Sequence, residues 1–153
     1  MLFLLFELGQ DRYALDVQQV AEVLPLVGIT PIPQAPPAVA GIVSYRGAPV
    51  PVIDVSQLTL GRPAERRLST RIVLVHYPDT EGRARLLGLI AERATQMVRR
   101  EETDFVASGI TSEGASYLGP VATDARGIVQ RLDAQTLLPM SIRDMLFRQP
   151  KAG

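Results

Sequence analysis

The residues able to do chemistry are few and scattered. His76 is the only histidine and cysteine is absent, which excludes disulfides, thiolate metal sites and thiolate nucleophiles. His76 stands inside the apolar run Arg71-Ile72-Val73-Leu74-Val75-His76-Tyr77. A lone strand histidine is structural more often than catalytic, and neither a second histidine nor a serine-nucleophile motif completes a triad. Metal-ligand spacing is absent, as is a glycine-rich phosphate loop. Asp16, Asp54 and Asp133 each stand at the end of an apolar run, where helix capping accounts for them. Their spacing does not ask for a catalytic carboxylate pair. No cofactor is expected, and the inventory is that of a binding or scaffold protein.

Composition narrows this further. A chain of 153 residues with 46% apolar content suits one compact domain, or two small ones sharing a core. Lys plus Arg number 16 against 16 Asp plus Glu, so the basic excess of a nucleic-acid or anionic-membrane binder is missing. Met1-Leu2-Phe3-Leu4-Leu5-Phe6 lacks a basic leader and is interrupted by Glu7. It is too short for a signal peptide or a membrane span. It reads as a buried first strand of a soluble chain with no membrane insertion.

The elements that position the polar residues centre on Gly41 to Val55. Ile42 and Val43 end one strand, Ser44 to Gly47 turn, and Val50, Val52 and Val55 belong to a second strand. Pro49 and Pro51 cannot donate to a ladder, so their edge must face a bulge, a sheet edge or solvent. Asp54 then caps a short helix near Gln57-Leu58. Before this hairpin, Phe3 to Leu8 and Tyr13 to Leu15 form another, with Gly9 to Arg12 as its turn. Asp16 to Leu24 mixes a helical turn with a strand. Thr30 to Pro37 is too proline-dense for either and reads as an extended crossover. After the central hairpin comes the polar loop 61–69, then the strand pair Arg71–Tyr77 and Leu86–Ile90. Ala91 to Val98 resembles the segment after Asp16, and Glu101 to Ala115 is a polar connection. Ser116–Val121 and Gly127–Leu132 are further strands. A C-terminal helix spans Ser141 to Phe147, capped by Ser141.

The two halves echo each other. Tyr13 to Val23 parallels Leu87 to Met97, and Gly41 to Val55 parallels Gly119 to Ala134. In the latter pair an Arg-Gly step (Arg46-Gly47, Arg126-Gly127) closes the turn, and an apolar-Asp step (Ile53-Asp54, Leu132-Asp133) ends the next strand. The repeat implies two similar small β-barrels that pack face to face, since each alone is marginal in size. Val17, Val20 and Val23 with Ala91, Ala94 and Met97 are either plain core or the lining of a groove where the barrels meet.

These residues resemble the CheW-type coupling proteins of bacterial chemosensory systems, from Phe3 to about Leu138. Pro33-x-x-Pro36 followed by Gly41-Ile42-Val43-x-x-Arg46-Gly47 and Pro51-Val52-Ile53-Asp54 is similar to the family's Pro-x-x-Pro segment, its Gly-Val-x-Asn-Leu-Arg-Gly turn and its Pro-Val-Ile-Asp-Leu strand. Phe6 to Glu22-Val23 resembles the family's opening, and Leu87 to Met97 its second-barrel segment. The resemblance implies a mostly β fold of two five-stranded, SH3-like barrels sharing a hydrophobic core, with short helices and a C-terminal helix. As an expectation, residues 1–147 form one domain, the first barrel mainly 13–70 and the second mainly 71–138 with N-terminal strand contributions. Residues 148–153 are expected as a flexible tail.

The implied role is a non-enzymatic cytoplasmic adaptor, recruited to membrane-associated receptor arrays. Its implied partners are the cytoplasmic tip of a methyl-accepting chemoreceptor and the regulatory domain of a CheA-type histidine kinase. Receptor contact is implied for Val17, Val20, Glu22, Val23, Arg46, Ala94 and Met97, and kinase contact for Gly41, Tyr45 and Gly47. Ser44-Tyr45 in place of Asn-Leu, and Ala91-Glu92-Arg93-Ala94 in place of Val-Asp-x-Val, depart from the family pattern. They suggest a coupling protein matched to its own receptor and kinase rather than to the main flagellar array. Two other readings compete. An SH3-like module for another peptide needs an exposed aromatic platform, scarce at 5% aromatics. A small enzyme needs a polar pocket near His76 and Tyr77.

Overall fold

The computed structural model describes residues 1–110 and 118–147. In chain order the strands are β1 (Leu2–Leu8), β2 (Asp11–Asp16), β3 (Val20–Pro25), β4 (Val39–Tyr45), β5 (Ala48–Asp54), β6 (Arg71–His76), β7 (Leu86–Arg99), β8 (Leu118–Asp124) and β9 (Gly127–Leu132). Helix α1 (Val55–Leu60) follows β5 and α2 (Met140–Arg143) ends the domain. Single 3-10 turns occupy Val17–Gln19, Glu102–Asp104 and Ala134–Thr136. The expected start of a strand at Ser116 and the expected tail 148–153 lie outside the described residues.

The strands divide into two SH3-like barrels of five strands each, joined through β7. One runs β3-β6-β7-β5-β4 and the other β7-β1-β2-β9-β8. β6 and β5 take the first part of β7, residues 86–91, while β1 takes the remainder, from Glu92 to Arg99. β7 therefore serves both barrels.

Burial explains why the key strands lack simple alternation. In β1, Phe3 and Leu5 point into the second barrel beside Ala14, Phe105, Ala122 and Val129. Leu4, Phe6 and Leu8 point the other way, into a core shared by both barrels. In β6, Ile72 and Leu74 fill the first barrel, while Val73 and Val75 enter the shared core with Leu87 and Leu89 of β7. A strand buried on both faces must be apolar throughout, which is what Phe3–Phe6 and Ile72–Val75 show.

The internal repeat holds as topology. β5 runs parallel to β7 at Val52–Asp54, and β9 runs parallel to β2 at Val129–Leu132. Each of these strands ends in an aspartate that caps the following helical turn: Asp54 accepts from the Gln57 N–H at 3.2 Å, and Asp133 from the Gln135 N–H at 2.9 Å. The halves exchange strands, since β3 pairs with β6 and the end of β7 pairs with β1. This moves the expected barrel boundary. β6 and the first part of β7 belong with β3 to β5, and β2 belongs with β9, so a cut at residue 70 does not separate the barrels.

Two other expectations are corrected. Ala91–Val98 continues as strand instead of forming a helical turn. A bulge at Arg93, with φ of +51°, stands where the first half has its 3-10 turn, because both edges of β7 are needed for pairing. Helix α2 begins behind Pro139, not Ser141, and no side chain caps it; proline's fixed φ suits a helix start. The proline-edge reading of β5 agrees with the pairing. The Asp54 N–H points to β4, donating to Ala38, so by alternation the positions of Pro49 and Pro51 face the side where β7 joins only from Val52.

One ion pair ties the second barrel together. The Arg12 guanidinium of β2 grips Asp124 of β8 through two bonds of 2.9 and 2.6 Å. The Arg126 N–H adds a bond of 2.8 Å, and Arg100 lies 3.6 Å away. The Arg12 hydrogen bonds, outweighing desolvation, hold the Asp124 carboxyl far below the ordinary carboxylate range. A carboxyl lowered on folding stabilises the fold above its unfolded pKa, about 4, and that contribution is lost as pH falls below it. Asp124→Asn is expected to cost about 2 kcal/mol at pH 7 in urea denaturation. The gap from wild type should narrow steadily below about pH 4.

Candidate functional site

The β4–β5 turn is a two-residue hairpin, Arg46-Gly47, with φ of +49° and +79°. Both residues lie in the left-handed region, as the tight turns matched to strand twist require. The turn exposes Arg46, and its guanidinium carbon sits 5.1 Å from the centroid of the Tyr45 ring. Such a contact is a cation–π interaction. The Tyr45 hydroxyl in turn donates to the carboxylate of Glu22 in β3. That bond raises the Tyr45 phenol above its ordinary range, so it stays a donor at neutral pH. Glu22, Tyr45 and Arg46 thus form one cluster across the seam between β3 and β4, the two end strands of the first barrel.

The other expected contact residues divide between surface and core. Val20 and Val23 flank Glu22, half-buried, with their side chains packed on the shared core. Val17 is half-buried in the 3-10 turn before them. Ala94 is 1% exposed within the shared core and offers no surface for a receptor. Its N–H donates to the Ser69 carbonyl. Met97 is 54% exposed, but it pairs with Leu4 in β1, and β6 stands between β3 and β7. Ala91 is also core. Of the two alternatives for these residues the structure takes plain core: Val20, Val23, Ala91 and Ala94 meet in the core shared by the barrels, and Met97 stands outside it.

Gly41 has a structural explanation. It is buried in β4 with φ of +145°, and a Cβ there would lie 2.1 Å from the Thr30 carbonyl oxygen. Thr30 pairs with Ile42 through bonds of 2.8 and 2.9 Å, so the crossover backbone lies directly against the glycine. Gly47, by contrast, is exposed with open space around it. Tyr45, expected on a kinase face, shares one cluster with Glu22 and Arg46, expected on a receptor face.

The candidate catalytic groups find other work. Asp54 caps α1 and also accepts the Ala64 N–H. Asp16 accepts the Gln18 N–H at 2.9 Å and faces Arg131 at 3.5 Å. His76 is exposed while Tyr77 is buried, on opposite faces of one chain, so the two do not converge on a pocket. Burial raises the Tyr77 phenol. Among the described residues no cluster of three His, Asp or Glu side chains could hold a metal, and no helix is long and apolar enough to cross a membrane. Phe3, Phe6, Tyr13, Tyr77 and Phe105 are buried, so among the described residues they build no exposed aromatic platform. The cluster itself was hard to foresee. Glu22 and Tyr45 are 23 residues apart, and only the family resemblance, which implied contact roles for Glu22, Tyr45 and Arg46, pointed to these residues.

The fold defines the class as a two-barrel β domain. The chain belongs to the CheW-like domain family, which it matches over residues 2–141. It is 26% identical over 125 residues to the chemotaxis protein CheW of Thermotoga maritima, covering 81% of this chain and 79% of that one. Against the chemotaxis protein CheW of Helicobacter pylori identity is 29% over 103 residues, or 67% of this chain and 59% of the relative. The crystal structure of the scaffolding protein TtCheW from Thermoanaerobacter tengcongensis superposes with a TM-score of 0.77 at 24% identity, covering 90% of this chain and 87% of that one.

The two glycines of the hairpin separate packing from turn geometry. Gly41→Ala is expected to cost more than about 3 kcal/mol, since backbone must move. Gly47→Ala should cost only the left-handed penalty, about 1 kcal/mol. Thermal or urea melts of both variants check the ordering.

Proposed function

We propose that this chain is a non-enzymatic adaptor that couples the cytoplasmic tip of a methyl-accepting chemoreceptor to the regulatory domain of a CheA-type histidine kinase. It acts in the cytoplasm, at membrane-associated receptor arrays. The observation that carries this reading is the family match, which runs through nearly the whole described fold, from residue 2 to residue 141. The physical chemistry agrees. The carboxylates Asp16, Asp54 and Asp133 are engaged in caps, and Glu22 and Arg46 at the barrel seam are exposed. A receptor tip is a helical hairpin, and half-buried Val20 and Val23 beside Glu22 and Arg46 offer an apolar strip with a charged rim for one helix face. The kinase regulatory domain, itself of this fold, meets a barrel end near the hairpin loops.

The Tyr45 departure from the family's leucine supports a coupler adapted to its own partners. Full replacement of a flagellar coupler in swimming cells would overturn that part alone.

The experiment is reconstitution of kinase, receptor-tip fragment and this chain from one organism, reading kinase autophosphorylation. The chain should change kinase activity only when all three are present. Arg46→Glu, at an exposed turn, should stay folded and weaken tip binding about tenfold. Arg66→Glu on the exposed loop 61–69 should bind as wild type. Folded wild type that binds neither partner overturns the proposal.

A further inference from the structure

We infer that Tyr45 is a positioning residue for partner recognition: by holding Glu22 and Arg46 side by side it presents a fixed pair of opposite charges to a helix bearing the reverse pair. This deepens the coupling reading and rests on it. β3 and β4 are not paired with each other, so backbone hydrogen bonds do not set the distance between Glu22 and Arg46. One phenol does. Its hydroxyl donates to Oε2 of Glu22, and its ring lies 5.1 Å from the Arg46 guanidinium carbon.

The consequence is preorganisation. A free glutamate and a free arginine on an exposed rim each lose rotamer freedom when a partner binds. Here much of that ordering is already present in the free protein, so less of the binding energy is spent on it. Glu22 keeps its second oxygen for a partner cation, and Arg46 keeps guanidinium N–H groups for a carboxylate. One side chain touches both charges, Glu22 through its hydroxyl and Arg46 through its ring. On a helix, side chains three or four residues apart are neighbours at about 5–6 Å. The matching partner is therefore a helix carrying a basic and an acidic residue one turn apart, and the receptor tip supplies helices. The receptor tip is the occupant proposed, and binding carried by the kinase domain is the alternative that the test separates.

The test uses the full chain with a purified receptor-tip fragment and a purified kinase regulatory domain, comparing wild type, Tyr45→Phe, Glu22→Ala and the double variant. Tyr45→Phe keeps the ring under Arg46 and removes only the hydroxyl. It should melt as wild type, weaken tip binding about fivefold, and leave kinase-domain binding unchanged. In the Glu22→Ala background, Tyr45→Phe should have no further effect, because the hydroxyl acts through Glu22. Equal loss in both backgrounds would overturn the inference, as would unchanged tip affinity, a loss confined to the kinase domain, or a lowered melting temperature that tracks the affinity loss. In all of those the wild type still binds, and the coupling reading stands. If the wild type binds neither probe, that reading falls and this inference falls with it.

Discussion

The structure depends on one constraint: most of β1 and β6, and the first part of β7 from Leu87 to Ala91, are buried on both faces. They form the layer between two barrel interiors and the core the barrels share. A residue here cannot turn a polar side chain toward water on either side, so the strands are apolar in consecutive positions. β7 carries most of the burden. At 14 residues it is the longest strand described, and it pairs with β5 and β6 on one part and β1 on another. Because each half of the repeat lends strands to the other's barrel, neither half can complete a sheet by itself. The two small barrels are thereby held together through shared strands and a shared core.

Polar groups near that layer are tied down where the chain leaves it. Aspartates end β2, β5 and β9, and each turns its carboxylate onto a following backbone N–H. Arg131 is anchored by Asp16 and lies over the faces of Phe3 and Phe105, 5.2 and 5.6 Å from their centroids. Arg12 closes the β2–β8 side through Asp124. These carboxylates and guanidiniums have the residue types of an active site, but their geometry is that of seams and caps.

Legibility in the sequence followed the range of the interaction. The central hairpin, the Asp54 cap and the proline edge are set by neighbours a few residues away, and each was readable from turn and capping chemistry. The repeat was readable because like topology needs like punctuation: Gly, Arg-Gly, apolar-Asp. The barrel boundary was not, since strand exchange between halves leaves no local trace. Ala91 and Ala94 are equivalent to Val17 and Val20 in the repeat, and whether such residues line a groove or join the shared core depended on strand pairing that the sequence does not show. Gly41 carried the right signal with the wrong cause, for the Thr30 carbonyl that presses on it comes from the proline-rich crossover.

The same distinction separates fold from recognition. Residues in the shared layer are constrained on two sides, and little can change there without moving a barrel. The seam between β3 and β4 is constrained on one side only, and its spacing is set by side chains instead of a ladder. An exchange of tyrosine for leucine at the turn would leave the strands in place and still reset how Glu22 and Arg46 face a helix. A fold held in this way can keep its strands in place while a few residues at the rim change what the seam presents.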